Sequence, residues 1–239
     1  MRAVILAGGK GTRLRPYTTV FPKPLMPIGD EPILKVVISQ LKNAGFTHVT
    51  MAVGYMADMI QTYFNKGEKF GLKIDYSHER EPLGTIGALS LIDNFPKNFI
   101  VMNGDILTDL NFRDFFDFHK KHRAKATIAT FCKKVKIEYG IIEANGDQVV
   151  NGYVEKPTME YEVSMGVYAF HASIVKYIEK KRYLDFPDLV KRLLEKNEKI
   201  VRYPFDGYWM DIGCHADYEK ASEDFADMKA RLISGTQTA

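Results

Sequence analysis

An α/β architecture, three αβα layers with a mostly parallel mixed sheet in the middle, is the expectation from three observations. Strand-like and helix-like segments alternate through the first half of the 239 residues, the order that builds βαβ units and so parallel strands covered on both faces. The chain opens on an apolar strand that runs straight into a glycine-rich turn. No Pro/Gly/Ser-rich linker, repeat or low-complexity stretch interrupts it, so a single domain over 1–239 is expected.

Residues 2–6 read as a buried strand. Residues 32–44 read as a helix: Leu34, Val37, Ile38 and Leu41 share a face, Pro32 stands at the start and Gly45 just past the end. A strand over 47–53, a helix over 57–65, a strand over 73–77, a helix over 85–92 and a strand over 99–103 follow. A helix over 111–123 then carries Phe112, Phe115, Phe116 and Phe118, expected in the core. From there the chain changes character. Segments 126–132, 139–143, 148–154 and 163–171 are β-rich and are expected to extend the sheet and wall one side of a cleft. A helix over 185–195 and an amphipathic helix over about 215–232 close the domain, with 234–239 as a frayed tail.

Composition excludes several classes. The 33 basic and 30 acidic residues leave a net charge of +3, too small to imply nucleic acid or a membrane surface as a partner. Lys133-Lys134 and Lys180-Lys181-Arg182 read as solvated faces. The two cysteines, Cys132 and Cys214, form no C-x-x-C pair and read as reduced thiols, and no run is long enough to cross a bilayer, so a cytoplasmic protein is expected. His119 and His122 lie a turn apart without a third ligand by sequence, so zinc is not expected. No Ser-His-Asp or Cys-His arrangement indicates a covalent nucleophile.

The chemistry starts at Ala7-Gly8-Gly9-Lys10-Gly11-Thr12-Arg13-Leu14-Arg15-Pro16 and continues to Pro22-Lys23-Pro24-Leu25. Three glycines after a strand let several N–H groups point at one anion, and Arg13, Arg15 and Lys23 add positive charge. The order is neither G-x-G-x-x-G nor G-x-x-x-x-G-K-[ST], and Pro16 stops a long helix from starting at the glycines as both of those motifs require. Loop amides and side chains are therefore expected to hold phosphates. The segment resembles the signature of the sugar-1-phosphate nucleotidylyltransferases. That resemblance implies a Rossmann-like nucleotidyltransferase fold with a nucleoside triphosphate on Leu6, Ala7, Gly8, Gly9, Gly11, Thr12, Arg13 and Lys23.

Gly104-Asp105 ends a strand, which sets a carboxylate at the carboxyl edge of a parallel sheet, where such folds bind ligands. Asp105 suits Mg²⁺, although an Asp so placed is a turn residue as often as a ligand. Trp209-Met210-Asp211-Ile212-Gly213 repeats the pattern of an apolar strand ending in an acid. In the family this sequence resembles, the second Asp joins the first, which implies Mg²⁺ on Asp105 and Asp211; spacing alone does not supply that pairing. Asp109 is expected to be a cap or turn acid before the 111–123 helix.

Tyr153-Val154-Glu155-Lys156-Pro157 sets a carboxylate beside an ammonium on a stiffened turn; standing alone it reads as an exposed ion pair. The resemblance implies that Glu155 accepts from sugar hydroxyls and Lys156 binds the 1-phosphate, with Asn103, Gly140, Ser164 and Gly166 on the same side. The family commonly carries Asn where Ser164 stands, which leaves the sugar open.

Base choice is expected from Glu79, five residues before Gly84, where uridylyl and thymidylyl members carry Gln. A carboxylate only accepts, so it suits guanine N1–H and its amine and opposes a pyrimidine O4. The run 77–85 closely resembles that of mannose-1-phosphate guanylyltransferase-like members, with Pro82, Gly84 and Thr85 beside the nucleotide. GTP with a mannose-type or heptose 1-phosphate is therefore expected. The alternatives are uridylyl or thymidylyl transfer, or, in another class, a non-catalytic sugar-nucleotide-binding regulatory subunit. The expected catalytic set is Arg13, Lys23, Asp105, Lys156 and Asp211. By the same resemblance 1–125 mainly binds nucleotide and 126–239 mainly sugar phosphate. Many members continue into a C-terminal β-helix that this sequence lacks, so assembly through that element is not expected and homo-oligomerisation stays open.

Overall fold

Apolar runs and amphipathic helices of the first half assemble in the order the sequence suggests. The computed structural model describes residues 1–234; of the expected frayed tail, 235–239 lie outside it. The first half comprises β1 (Arg2–Ala7), β2 (Pro27–Ile28), β3 (Glu31–Pro32), α1 (Ile33–Asn43), β4 (His48–Val53), α2 (Ala57–Phe64), β5 (Lys73–His78), α3 (Gly84–Gly87), β6 (Asn98–Asn103), β7 (Ile106–Thr108) and α4 (Phe112–His122). The second half comprises β8 (Ala126–Lys136), β9 (Ile141–Ala144), β10 (Val150–Val154), β11 (Thr158–His171), α5 (Phe186–Glu195), β12 (Ile200–Phe205), β13 (Trp209–Asp211) and α6 (His215–Ser234).

Seven strands form one sheet in the order β12-β8-β11-β6-β1-β4-β5. β6, β1, β4 and β5 run parallel, as does β12 to β8, while β11 is antiparallel to both neighbours. The fold is thus α/β with a mostly parallel mixed sheet, as expected. Successive residues of β1 are buried on opposite faces: Ala3 and Ile5 meet α1, α2 and α4, while Val4 meets α3 and α5. Phe112, Phe115 and Phe116 are core residues, and Phe118 packs on the Tyr203 ring. α1 carries a second apolar stripe that the sequence reading missed. Ile33 and Val36 join Leu14, Met26 and Ile28 beneath Phe225 and Leu232 of α6.

Three expectations need correction. The helix expected over 85–92 is one α-turn that tightens into a 3₁₀ turn, Ala88–Leu91, closed by Ile92 N–H on Leu89 O at 3.1 Å, where Ile92 turns extended. The segments at 139–143 and 148–154 do not extend the sheet. They pair with each other as β9 and β10 in a separate ribbon whose Ile142, Val150, Tyr153 and Val154 stay exposed, whereas β8 and β11 run longer than expected and β12 adds an edge. Asn111, not Asp109, caps α4, accepting from the N–H groups of Arg113 and Asp114. Asp109 instead accepts from Tyr208 N–H at 2.7 Å and pairs with Arg231 of α6. No helix among the described residues is long and apolar enough to cross a membrane. No cluster of three metal-ligating side chains occurs among them either.

Candidate active site

Parallel strands in register end together, and the loops after them converge. Leu6 of β1 pairs with Asn103 of β6, Ala7 with Val53 of β4, and Val53 with His78 of β5. The glycine turn, Gly54-Tyr55, Glu79 and Gly104-Asp105 therefore share the carboxyl edge of the sheet.

The glycine loop contains only 3₁₀ turns, Thr12–Leu14, Tyr17–Thr19 and Lys23–Leu25, in keeping with the stop expected at Pro16. Gly11 has φ +59°, and a Cβ there would fall 2.9 Å from Thr18 Cγ2, so the turn requires glycine. Thr18 Oγ1 donates to Gly11 O at 2.8 Å, and the Leu14 side chain anchors the loop in the α6 cluster. α6 clamps it from outside: His215 Nε2 donates to Arg15 O at 2.7 Å and Tyr218 OH donates to Pro27 O at 2.5 Å.

Two adjoining cavities lie against this loop. One of about 270 Å³ is lined by Leu6, Ala7, Gly9, Gly11, Thr12, Arg13, Lys23 and Asp105. The other, about 600 Å³, is lined by Leu6, Gly8, Gly9, Glu79, Pro82, Gly84, Thr85, Asn103 and Asp105. Tyr55 and Asp185 also line the larger cavity and were missed from sequence. Tyr55 fastens the loop twice, its N–H to Gly8 O at 3.2 Å and its hydroxyl to Thr18 O at 3.1 Å. Its position just after β4 was the available signal. Asp185 follows no strand and had none.

Asp211 reaches Asp105 through strand pairing. β13 lies antiparallel to β7 with Asp211 opposite Ile106, and Ile212 N–H donates to Asp105 O at 3.2 Å. The Lys23 ammonium, one-tenth exposed, pairs with Asp105 Oδ2, while Asp105 Oδ1 is buried without a hydrogen-bond partner. Partial desolvation pushes the Asp211 carboxyl up and repulsion from Asp105 adds to it, with Lys23 and Arg13 acting the other way. Arg13 lies against Gly213: a Cβ there would fall 3.3 Å from Arg13 Nη1.

Glu79 bends back over the glycines. Its Oε2 accepts from Leu83 N–H at 3.1 Å, and a Cβ on Gly8 would fall 2.9 Å from Oε1. Burial raises its pKa and the Leu83 bond lowers it, leaving it above the ordinary value.

The residues expected on the sugar side divide into two groups. Asn103 lines the larger cavity, and a Cβ on Gly166 would fall 2.7 Å from Asn103 Nδ2. The β11 bulge that begins at Ser164 sets Ser164 Oγ 3.3 Å from Tyr168 OH. Gly140, Glu155 and Lys156 sit instead on the exposed ribbon, Tyr153 covering Gly140 and donating to Glu155 Oε2 at 2.6 Å. Lys156 lies 3.9 Å from Glu155, and among the described residues neither lines the two cavities. Away from the site, His119 Nδ1 bonds Thr127 Oγ1 at 2.8 Å and its Nε2 is buried without a partner.

The nucleotidyl transferase family matches residues 2–228 of this chain. The chain is similar to the mannose-1-phosphate guanylyltransferase catalytic subunit beta of Drosophila pseudoobscura pseudoobscura, at 34% identity over 91% of this chain and 60% of that protein. It is similar also to a mannose-1-phosphate guanyltransferase of Yarrowia lipolytica, at 35% identity over 91% of this chain and 62% of that one. It thus spans about three fifths of the length of these curated relatives. Among solved structures, HddC from Yersinia pseudotuberculosis, complexed with GMP-PN, aligns with a TM-score of 0.70 and 28% identity over 94% of this chain and 99% of that one. A sucrose-bound chain from Bacillus anthracis shares the fold, with a TM-score of 0.74, 21% identity and coverage of 100% and 98%.

Proposed function

The chain belongs to the nucleotidyl transferase family, and from that premise we propose that it is a sugar-1-phosphate nucleotidylyltransferase, joining GTP to a mannose-type or heptose 1-phosphate and releasing pyrophosphate. The observation that carries this reading is the meeting of Arg13, Lys23, Asp105 and Asp211 beside the glycine loop, next to a second cavity walled by Glu79. Such a reaction brings two polyanions together, so positioning and charge neutralisation are what the site must supply.

In the proposed step an oxygen of the sugar 1-phosphate attacks the α-phosphorus in line, forming the new P–O bond as pyrophosphate leaves with the electron pair of the old one. Arg13 neutralises the β and γ phosphates, Lys23 turns from Asp105 to the α-phosphoryl oxygens, and Lys156 holds the attacking phosphate. Glu155 accepts from sugar hydroxyls, with Asn103, Gly140, Ser164 and Gly166 completing that side. No side chain has to act as a base, because a phosphate monoester is largely ionised at neutral pH. The unpartnered Asp105 Oδ1 and the repulsion between the two acids fit a hard cation that takes one or two carboxylates plus water and phosphate oxygens, which supports Mg²⁺. When bound there, Mg²⁺ would draw off charge from both phosphates.

The acceptor-only Glu79 supports guanine, as do relatives named mannose-1-phosphate guanylyltransferases. The reading takes the chain as a single cytoplasmic domain, 1–125 serving mainly the nucleotide and 126–239 mainly the sugar phosphate. Its test is pyrophosphate release across four nucleoside triphosphates and a panel of sugar 1-phosphates, with and without Mg²⁺. Fastest Mg²⁺-dependent release from GTP with mannose or heptose 1-phosphate is expected. A preference for UTP or dTTP would overturn the guanylyl assignment, and tight binding of a sugar nucleotide with no turnover for any pair would favour the regulatory subunit.

A further inference from the structure

The wall that carries Glu79 is fastened from outside its own segment. α3 begins after Leu83 and α5 after Asp185, and neither helix receives a side-chain cap from its own preceding residue. The two starts cap one another instead. Thr85 donates its N–H and its hydroxyl to Asp185 Oδ1 at 3.0 and 3.3 Å, and Phe186 N–H donates to Thr85 Oγ1 at 2.9 Å. Backbones lock around this exchange: Leu184 N–H donates to Leu83 O, and Ile86 and Gly87 donate to Leu184 O, each at 2.9 Å. Gly84 sits at φ +77°, where a Cβ would fall 2.7 Å from Leu184 O and 2.8 Å from Asp185 Oδ1, so a side chain would force the two segments apart. Burial pushes the Asp185 carboxyl up, and the bonds from Tyr183 and Thr85 outweigh it and leave it below the ordinary value.

The chain of bonds ends at Glu79. Leu83, whose carbonyl takes Leu184 N–H, gives its own N–H to Glu79 Oε2, and Asp185 itself lines the larger cavity. We infer that Asp185 is a positioning residue for base recognition: by capping Thr85 it holds the 79–85 loop against α5, so that Glu79 presents a fixed acceptor edge to the nucleobase. The inference rests on the nucleotide-binding reading proposed above. Asp185 touches no reacting group, so its loss acts before chemistry, as an ordering cost met when nucleotide binds.

Equilibrium titration with GTP and with UTP, in the absence of sugar phosphate, separates this inference from that reading. Asp185→Ala is expected to weaken GTP by roughly tenfold, the scale of a lost cap, and to narrow the GTP:UTP ratio. Asp185→Asn keeps an accepting oxygen and is expected to restore GTP affinity to near the wild-type value. Thr85→Val keeps the backbone N–H bond to Asp185 and removes only the two bonds of the hydroxyl, so it is expected to weaken GTP by less and to cost less on top of Asp185→Ala than it does alone. Glu79→Gln is expected to change the GTP:UTP ratio less in the Asp185→Ala background than in the wild type. Unchanged GTP affinity and an unchanged ratio in both Asp185→Ala and Thr85→Val overturn the inference and leave the proposed function standing. A wild-type protein that binds no nucleoside triphosphate overturns both.

Discussion

The loops after β1, β4, β5 and β6 hold their residues with bonds that reach across the sheet, whereas the β9–β10 ribbon is held by its own two strands. Tyr55 ties the loop after β4 to the glycine turn, Glu79 after β5 lies on Gly8, and Lys23 pairs with Asp105 after β6. On the ribbon, Asn145 Oδ1 takes the N–H groups of Asp147 and Val149 in its turn, and Tyr153 bonds its neighbour Glu155. One region is preformed, its side chains already tied to one another; the other carries its charges on a separate two-stranded unit. In energetic terms, substitutions in the first should cost stability or turnover, and substitutions in the second should act on the sugar phosphate while leaving stability alone.

The largest expected effect lies in the scaffold both regions share. Burial, with a smaller contribution from His171, pushes the His119 pKa down to about 4 from an ordinary 6.5. Between those values the unfolded chain binds a proton that the folded chain refuses, so stability rises with pH across the window and is lost as pH falls from 6.5 toward 4, by about 3 kcal/mol in all. Urea titrations over that range should show a steeper fall for the wild type than for His119→Gln, and parallel curves would count against it. Asp105→Asn, in the preformed region, should lower Mg²⁺-dependent pyrophosphate release by about a hundredfold or more, as loss of a preorganised charge does. Unchanged release would remove Asp105 from the proposed metal pair. Lys156→Ala, on the ribbon, should raise KM for the sugar 1-phosphate by roughly tenfold, leaving the melting temperature and GTP affinity alone, since an exposed pair contributes little to stability. A drop in melting temperature would show the ribbon to be more tightly integrated than its bonds suggest. Smallest is Ile142→Ala: an exposed substitution of this kind should change unfolding free energy by less than about 0.5 kcal/mol, read by the same urea titration.

Local signals made the preformed region readable. A strand followed by Gly-Gly, and another followed by Gly-Asp, need only the rule that parallel sheets bind ligands at their carboxyl edge. Asp211 was different. Its place beside Asp105 depends on β13 pairing with β7, a contact no spacing encodes, and only the resemblance pointed to it. Asp185 was invisible for the same reason, since its partner Thr85 lies in another segment altogether. The ribbon was misread because Ile142, Val150 and Val154 are the β-branched residues that strands favour, yet strand propensity says nothing about whether a second layer exists to cover them. The break in the 85–92 segment was hidden too: its pattern reads as one helix, yet Ala88–Leu91 winds as a 3₁₀ turn before Ile92 goes extended.

The antiparallel contact of β13 with β7 also sets a timetable for the nascent chain. A ribosome adding about 5–20 residues per second delivers the glycine turn, Lys23 and Asp105 well before Asp211 emerges. Until then the first acid has only Lys23 to answer it, and the loop lacks the clamp of α6. A truncated or stalled chain that stops short of β13 therefore has the glycine turn, Lys23 and Asp105 but neither Asp211 nor the clamp of α6.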